Sequence, residues 1–257
     1  MDEEQLRQLI ASLCILSKEE SIPYKVKKKE KKIFAVNTIS VLISSAPCEK
    51  LAYHLHQRWL SEENFTKIAA HIILQQQHMH EKDFNLFSCC LAHILSDFRS
   101  RHQIRKGNKL VFRNIVRAML DFYPVYKEID AAVSECLIEP MFTSLEDLIN
   151  DDSDEKDIKT AAELIIDHGK TLFKIKSGKC DSFIVALRKH LCEGDFKPVT
   201  RRLILQAIDF WTYRWDSEIM PFCIKQFYEP SSSIEFIKNL KQTSRMLSES
   251  GRKESVV

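Results

Sequence analysis

The sequence has little glycine and proline, with five Gly and seven Pro among 257 residues. A β-sandwich or barrel needs many tight turns, which these two residues commonly supply, so the composition argues against both folds. No two glycines lie close together, which excludes a glycine-rich phosphate-binding loop. Apolar residues make up 44% of the chain and charged residues 29%, an ordinary globular balance. We therefore expect a mostly helical globular protein.

Signals for disulfides, secretion and membrane insertion are also missing. The eight cysteines include no C-x-x-C pair, and Met1–Ile10 is acidic with only a short apolar run. No apolar stretch approaches the length of about 18 residues that a membrane span requires. The cysteines are therefore expected to be reduced and mostly buried. We predict a cytoplasmic protein, with the nucleus as a second compartment, that makes no contact with a membrane.

Apolar residues recur at i, i+3, i+4 and i+7 along most of the chain, and no comparable run of strict alternation is found. This spacing places an apolar stripe on one face of a helix. The predicted stripes are Phe65–Ile73, Phe87–Phe98, Phe112–Leu120, Ile138–Leu148, Ala161–Phe173, Ile184–Leu191 and Leu203–Trp215.

Alternate helices are predicted to start near residues 62, 108, 157 and 200, at spacings of about 46, 49 and 43 residues. HEAT-type repeats, each an antiparallel helix pair, are about 40–47 residues long. One pair cannot bury its apolar face alone, but stacked pairs can. We predict an all-α, HEAT-type helical-repeat solenoid of antiparallel helix pairs over residues 46–228. Residues 1–45 are predicted to hold a helix, Glu3–Leu16, and a Lys-rich linker, and residues 229–257 a polar, largely disordered tail.

Local signals place the ends of several helices. Pro47 stands where a helix should start. Ser61, followed by two glutamates, is predicted to cap the next helix. The predicted turns are Lys106-Gly107-Asn108, Tyr123-Pro124, Ser177-Gly178 and Glu193-Gly194. Asn150–Asp157 is predicted to be an acidic loop.

Charge is uneven along the chain although the net charge is only +2. Lys25–Lys32 carries six Lys and one Glu, and Glu146–Asp157 carries seven acids and one Lys. Between Arg99 and Arg117 there are seven basic residues and no acid. This cluster is either a solvated surface or a phosphate-directed RNA-binding site, since aromatic residues for base stacking are few. The candidate RNA-binding residues are Arg99, Arg101, Arg105, Lys106, Lys109, Arg113 and Arg117.

Three patterns that resemble metal sites favour other interpretations. His78 and His80 would point to different faces of a helix, which favours a polar turn. In Cys89-Cys90-x-x-His93, Cys90 belongs to an apolar stripe and no second ligand pair follows at zinc-site spacing, which favours core packing. Asp152-Ser153-Asp154 lacks the glycine that a calcium loop requires. We predict no metal and no cofactor.

The sequence contains no nucleophile elbow, Walker or HExxH pattern, so we predict that the protein is not an enzyme. The terminal Ser255-Val256-Val257 is a weak match to a PDZ ligand, which would bind as an added strand.

Several stretches of the chain, in order, resemble the middle domain of translation initiation factor 4G. The resemblance covers about residues 50–228. The stretches are Asn64–Ile73, Asp83–Ala92, Val111–Val116, Ala161–Leu172 and Arg201–Trp215, the last of which places a Trp six residues after the Asp of Ile208-Asp209-Phe210.

This resemblance implies a HEAT-type fold, no catalysis, and partners among mRNA-associated proteins of the cap-binding-complex, stem-loop-binding-protein or DEAD-box-helicase type. The short length is similar to that of stand-alone adaptors such as the stem-loop-binding-protein interactor. The chain departs from the family at Arg202, where an apolar residue is usual, and at Trp211, where an Arg is usual. We predict a non-enzymatic adaptor in mRNA translation or mRNA metabolism, with a direct RNA-binding module as the alternative.

The closing helix suggests where a partner would bind. Leu203, Ile204 and Ile208 are expected to face the core, and Trp215 is expected to lie on the same stripe. The opposite face is the candidate protein-binding surface, because solenoids bind segments of their partners on exposed helix faces. Its residues are Arg201, Arg202, Gln206, Asp209 and Arg214.

Overall fold

The computed structural model describes residues 47–79 and 86–228, together with Glu4 and Gln8. The regular secondary structure in these ranges is helical and includes no strand, so the all-α prediction is confirmed. The helices are α1 Cys48–Ser61, α2 Phe65–Met79, α3 Leu86–Arg99, α4 Arg101–Gly107, α5 Lys109–Ile129, α6 Ala131–Glu135, α7 Ile138–Ile149, α8 Glu155–Ile175, α9 Ser177–Glu193, α10 Pro198–Thr212 and α11 Phe222–Tyr228.

Some predictions concern residues outside the described ranges. They are the helix Glu3–Leu16 (except Glu4 and Gln8, which are helical), the Lys25–Lys32 run, His80 of the first metal candidate, and the segment that ends in Ser255-Val256-Val257. His78 of that candidate lies in α2, so the prediction of a turn there is wrong. Within the described ranges, no helix combines the length and apolar character that a bilayer crossing requires. The seven cysteines of these ranges form no disulfide, but only Cys90 and Cys180 among them are buried, so the prediction that the cysteines are mostly buried is wrong.

Several predicted helix ends are confirmed. Helix α1 begins directly after Pro47. Asn108 caps α5, because its side-chain oxygen accepts hydrogen bonds from the backbone N–H groups of Leu110 and Val111, at 3.0 and 3.2 Å. Gly194 directly follows α9. The prediction that Ser61 caps the second helix is wrong: Ser61 is the last residue of α1, and its hydroxyl donates to carbonyl oxygens of that helix.

The predicted turn at Tyr123-Pro124 is also wrong, because α5 continues through Pro124. Proline inside a helix loses one backbone hydrogen bond and is usually destabilising. The flanking side chains supply the compensation: Phe122 and Tyr126 are fully buried, and the Tyr126 hydroxyl donates to the Phe87 carbonyl oxygen at 2.7 Å. Packing therefore outweighs the local turn signal. The predicted Ser177-Gly178 turn is displaced by one residue, since the break falls at Lys176.

Contacts divide the chain into two compact units, Met1–Leu164 and Ile165–Val257. Helix α5 is central to the first unit and contacts α1, α2, α3 and α7. Its predicted stripe is confirmed, since every one of its members is buried. The indole of Trp59 in α1 packs edge-on against Phe122 in α5, with 5.1 Å between ring centroids. The stripe members are Phe112, Ile115, Val116, Met119 and Leu120.

In the second unit, α9 packs against α10 and buries Ile184, Leu187, Ile204 and Ala207. Trp215 does not continue the α10 stripe as predicted, because α10 ends at Thr212. The chain then turns through two residues with left-handed backbone angles, Arg214 (φ 54°) and Trp215 (φ 52°). This turn returns the indole toward α8, where its N–H donates to the Ile165 carbonyl oxygen at 3.0 Å.

Candidate binding surfaces

Five basic residues at four-residue intervals, from Arg101 to Arg117, meet an acidic segment in the first unit. Residues spaced by four lie on the same face of a helix, and helices α4 and α5 present them as one row. The ion pairs are Arg101 with Asp147 (3.3 Å), Lys109 with Asp154 (3.1 Å), Arg113 with Asp157 (2.8 Å) and Arg117 with Glu163 (3.0 Å). Arg105 donates to Asn150 at 3.0 Å and to Ser153 at 3.2 Å.

The predicted acidic loop, Asn150–Asp157, supplies part of the acidic segment that meets this row, and it is shorter than predicted because α8 begins at Glu155. Asp147 lies before the loop in α7, and Glu163 lies after it in α8. Partial burial opposes ionisation of Asp154. The backbone N–H of Asp157 and the ammonium of Lys109 outweigh that effect, so the pKa of the Asp154 carboxyl lies below its ordinary value. The carboxylate therefore remains charged at neutral pH, and it neutralises part of the basic row.

The structure does not bring the seven candidate RNA-binding residues into one free cationic surface. Four of them are ion-paired and Arg105 is hydrogen-bonded, whereas Arg99 and Lys106 are exposed. Phosphate binding depends on uncompensated positive charge. RNA binding through this cluster stays a prediction, and the pairing weakens its electrostatic basis.

Two residues of the candidate protein-binding face are in contact with the chain's own helix α11. Arg202 donates to the Phe227 carbonyl oxygen at 2.7 Å, and its guanidinium lies over the Phe227 and Tyr228 rings, at 5.5 and 5.9 Å. Asp209 accepts a hydrogen bond of 2.6 Å from the Tyr228 hydroxyl. Burial, and then this bond to a carboxylate, raise the pKa of Tyr228. Helix α11 therefore covers part of the predicted surface.

The other three residues of that face are separated from one another. Arg201 is exposed and donates to the Phe196 carbonyl oxygen at 2.9 Å and to Asp195 at 3.3 Å. Gln206 is half-buried in α10. Arg214 follows the end of α10, in the left-handed turn. The five predicted residues are thus not a single open face.

A different group forms around Trp211, and we call Asp181, Arg188, Trp211 and Arg214 the Trp211 cluster. The Trp211 indole N–H donates to Asp181 Oδ1 at 2.8 Å. The guanidinium carbons of Arg188 and Arg214 lie 5.3 and 5.0 Å from the centre of the indole, within the range of a cation–π interaction. The sequence marks Trp211 only as a departure from the pattern of the family that the chain resembles. The other sequence signal for this cluster was the seven-residue interval between Asp181 and Arg188, which places both side chains on one face of α9.

Neighbouring packing fixes the position of the cluster. Trp215 packs so closely on α8 that a Cβ atom added at Gly169 would lie 2.0 Å from its indole. The ring of Phe173, in the same helix, lies 4.5 Å from the Arg214 guanidinium carbon. Trp215 directly follows Arg214 in the chain. The close packing of Trp215 on α8 therefore also constrains the backbone of Arg214.

The histidine and cysteine motif of α3 lies in a packed environment. Cys90 is fully buried, as predicted. His93 stacks on His56 with 4.4 Å between ring centroids, and His56 is hydrogen-bonded to Asp97 at 2.8 Å. Burial, and then the neighbouring His56, lower the pKa of His93 despite the opposing effect of Asp97. In the part of the chain that the structure describes, no three His, Cys, Asp or Glu side chains form a group able to hold a metal ion.

Comparisons with known proteins do not identify a family. No protein-family model matches the chain, and no curated protein matches it significantly.

Proposed function

We propose that this protein is a non-enzymatic adaptor in mRNA translation or mRNA metabolism, acting in the cytoplasm and also in the nucleus. It would bind mRNA-associated proteins of the cap-binding-complex, stem-loop-binding-protein or DEAD-box-helicase type through a HEAT-type helical surface. The observation that carries this proposal is the order of the stretches similar to the initiation factor 4G middle domain. They fall in helices of the structure in chain order: Asn64–Ile73 overlaps α2, Val111–Val116 lies in α5, and Ala161–Leu172 lies in α8.

The helix spacing supports a HEAT-type repeat. Helices α2, α5, α8 and α10 start at Phe65, Lys109, Glu155 and Pro198, and subtraction gives intervals of 44, 46 and 43 residues. These intervals are within the range of about 40–47 residues for this repeat class. In the first unit, α1 contacts α3 and α2 contacts α5. Such contacts between corresponding helices of successive pairs are expected of stacked helix pairs.

The charges support protein binding more than the RNA-binding alternative. Phosphate-led binding needs free cationic groups, whereas most of the Arg99–Arg117 cluster is paired within the first unit. In the second unit, Arg188 and Arg214 are exposed beside an aromatic ring. Arg and Trp are enriched among the residues that dominate protein–protein binding energies.

The test is affinity capture from a eukaryotic cell extract with the tagged full chain, followed by mass spectrometry. Half of the extract is treated with ribonuclease, so that partners held only through RNA are lost. We expect translation, cap-binding or mRNA-processing proteins to remain bound after this treatment. A bound set without such proteins would overturn the adaptor proposal. A set lost on ribonuclease treatment, with steep loss as salt rises, would favour the RNA-binding alternative.

A further inference from the structure

The two arginines of the Trp211 cluster share one aromatic ring. Their guanidinium carbons lie 5.3 Å (Arg188) and 5.0 Å (Arg214) from the centre of the Trp211 indole. A guanidinium that lies against an aromatic ring keeps its N–H edge available for a planar anion, which it can bind through two parallel hydrogen bonds. The ring therefore positions two anion-binding groups close together.

The positions of these groups are set by other contacts. Trp211 is fixed by its hydrogen bond to Asp181, and Arg214 lies between the Trp211 and Phe173 rings. Arg214 also adopts a left-handed backbone conformation (φ 54°), which residues other than glycine seldom do. Strained backbone conformations persist where surrounding contacts hold them, and they cluster at functional sites. Contacts with the Phe173 and Trp211 rings hold the Arg214 guanidinium beside the indole.

The charge of the two arginines is only partly compensated. The Arg188 side chain contacts the Trp211 ring. Among the described residues, no acidic side chain forms an ion pair with Arg188. Asp181 lies 3.9 Å from Arg214, and both side chains are half exposed, at 51% and 50%. Residues 165–228 contain 11 Lys and Arg against seven Asp and Glu, so their net charge is +4. The long-range field of these residues therefore attracts an acidic partner.

The same face of α9 carries an exposed apolar side chain. Val185 lies four residues after Asp181 and three before Arg188, so the three share a helix face, and Val185 is 64% exposed. A nucleic-acid backbone would bring closely spaced phosphates to a surface that contains the Asp181 carboxylate and Val185. A peptide can instead place carboxylates on the arginines and an apolar side chain on Val185.

We propose that the Trp211 cluster binds a linear peptide segment of a partner protein, in which Asp or Glu side chains lie next to a large apolar side chain. The carboxylates bind Arg188 and Arg214, and the apolar side chain covers Val185 and the free edge of Trp211. This inference rests on the proposed adaptor function and names the chemistry that its partner presents.

The probe is a displayed library of short random peptides selected against the full-length wild-type chain. Single peptides from the selection are then titrated by fluorescence anisotropy. Binding is compared among wild type, Arg188→Gln, the double variant Arg188→Gln/Arg214→Gln, and Arg201→Gln. Arg201→Gln is the matched control because Arg201 is an exposed arginine of α10 that contacts Phe196 and Asp195 and lies outside the cluster. Arg201 belongs to the binding face predicted from the sequence, so a loss of affinity in this variant would assign the peptide to that face instead. Thermal melting of each variant verifies its fold.

We expect the selected peptides to combine acidic and large apolar residues. The double variant should weaken their affinity by about tenfold or more, because a lost pair of charge-assisted hydrogen bonds is a large fraction of a short peptide's binding energy. Arg188→Gln should give part of this loss and keep the fold, since the recorded contact of Arg188 is with the ring alone. Arg201→Gln should bind like wild type.

Three results would overturn the proposal: no peptide is enriched, the enriched peptides are neutral or basic, or the double variant binds them as wild type does. A further experiment adds oligouridine RNA as a competitor. If RNA at the same concentration of charged groups displaces the peptide, the cluster binds phosphates instead of a peptide. The extract capture described above separates the two hypotheses. If mRNA-associated proteins are captured equally by wild type and the double variant, the adaptor function stands and the assignment of its surface to the Trp211 cluster is wrong.

Discussion

Arg113 and Asp157 form an ion pair that is buried on both sides. Nη1 of Arg113 lies 2.8 Å from Oδ1 of Asp157, and the two side chains are 7% and 0% exposed. The residues are 44 positions apart, so the pair joins α5 to the start of α8 within the first unit. A buried pair need not stabilise a fold relative to apolar residues, but removing one partner leaves a buried charge without compensation. The pair therefore fixes how these two helices meet.

We expect Asp157→Asn to lower the free energy of unfolding by up to about 3–5 kcal/mol, because the Arg113 guanidinium stays buried and the carboxylate that remains beside it, that of the partly exposed Asp154, lies 3.8 Å away. Urea denaturation followed by circular dichroism measures this change. Asp152→Asn is the matched control: Asp152 is an exposed acid of the same segment, so its substitution should change stability by no more than about 0.5 kcal/mol. Equal, small effects of the two substitutions would show that the Arg113 charge is solvated.

A second prediction concerns the contact between Gly169 and Trp215. A Cβ at residue 169 would lie 2.0 Å from the indole, which is itself held by a hydrogen bond to Ile165. Overpacking of this kind costs about 1–3 kcal/mol, which exceeds the gain of about 1 kcal/mol or less from replacing a helical glycine by alanine. Gly169→Ala should therefore lower the melting temperature and shift the tryptophan fluorescence.

Gly178→Ala is the control for this substitution. Gly178 lies near the start of α9, and a Cβ there would have nothing within 4 Å. The reduced entropy of the unfolded chain should make this variant more stable by about 0.4–1 kcal/mol. If both alanine variants were more stable than wild type, Trp215 would not pack closely on Gly169.

The helices of the first unit could be predicted because their signals are local. The period of the α5 stripe and the turn at Lys106-Gly107-Asn108 are properties of neighbouring residues; the structure confirms the stripe and places a helix break at Asn108. The wrong prediction at Pro124 has a long-range cause: burial of Phe122 and Tyr126 against other helices holds α5 together across the proline. The pattern of adjacent residues contains no information about this long-range packing energy.

The binding surfaces could be predicted less well, for a similar reason. The basic and acidic segments were recognised separately, but the bonds between them join residues 44 to 48 positions apart. The four-residue interval from Arg101 to Arg117 was the available sign that most of these charges share one helix face. The position of Trp215 depends on a left-handed turn at residues that are not glycine, which no local rule favours.

A third prediction follows from the stack of His93 on His56. The folded state lowers the pKa of His93, through burial first and the adjacent histidine second. The unfolded chain therefore takes up this proton more readily, and stability falls as the pH drops through about 6.5, the ordinary pKa of histidine. We expect the free energy of unfolding, measured in urea between about pH 7.5 and 5.5, to fall less steeply in His93→Gln than in wild type.

His102→Gln provides the comparison for this pH series, because His102 is an exposed histidine of the same unit. It should retain the wild-type slope of stability against pH. The slope is the informative quantity, since His93→Gln also removes the ring stack and can change stability at every pH. A slope unchanged in His93→Gln would assign the acid sensitivity to other groups.

The last prediction tests how α11 is held on α10. Arg202 donates to the Phe227 carbonyl oxygen and covers the two aromatic rings at the end of α11, and Asp209 accepts from Tyr228. Arg202→Gln removes the guanidinium and shortens the reach of the side chain, so α11 should detach more often. Lys225 lies within α11, and trypsin cleaves after lysine only where the backbone can open. Limited proteolysis with mass spectrometry should show faster cleavage after Lys225 in Arg202→Gln than in wild type.

Arg201→Gln also removes one neighbouring arginine, but its contacts are with Asp195 and Phe196, so it should leave that rate unchanged. Equal cleavage after Lys225 in the two variants would mean that the contacts of Arg202 do not hold α11 on α10.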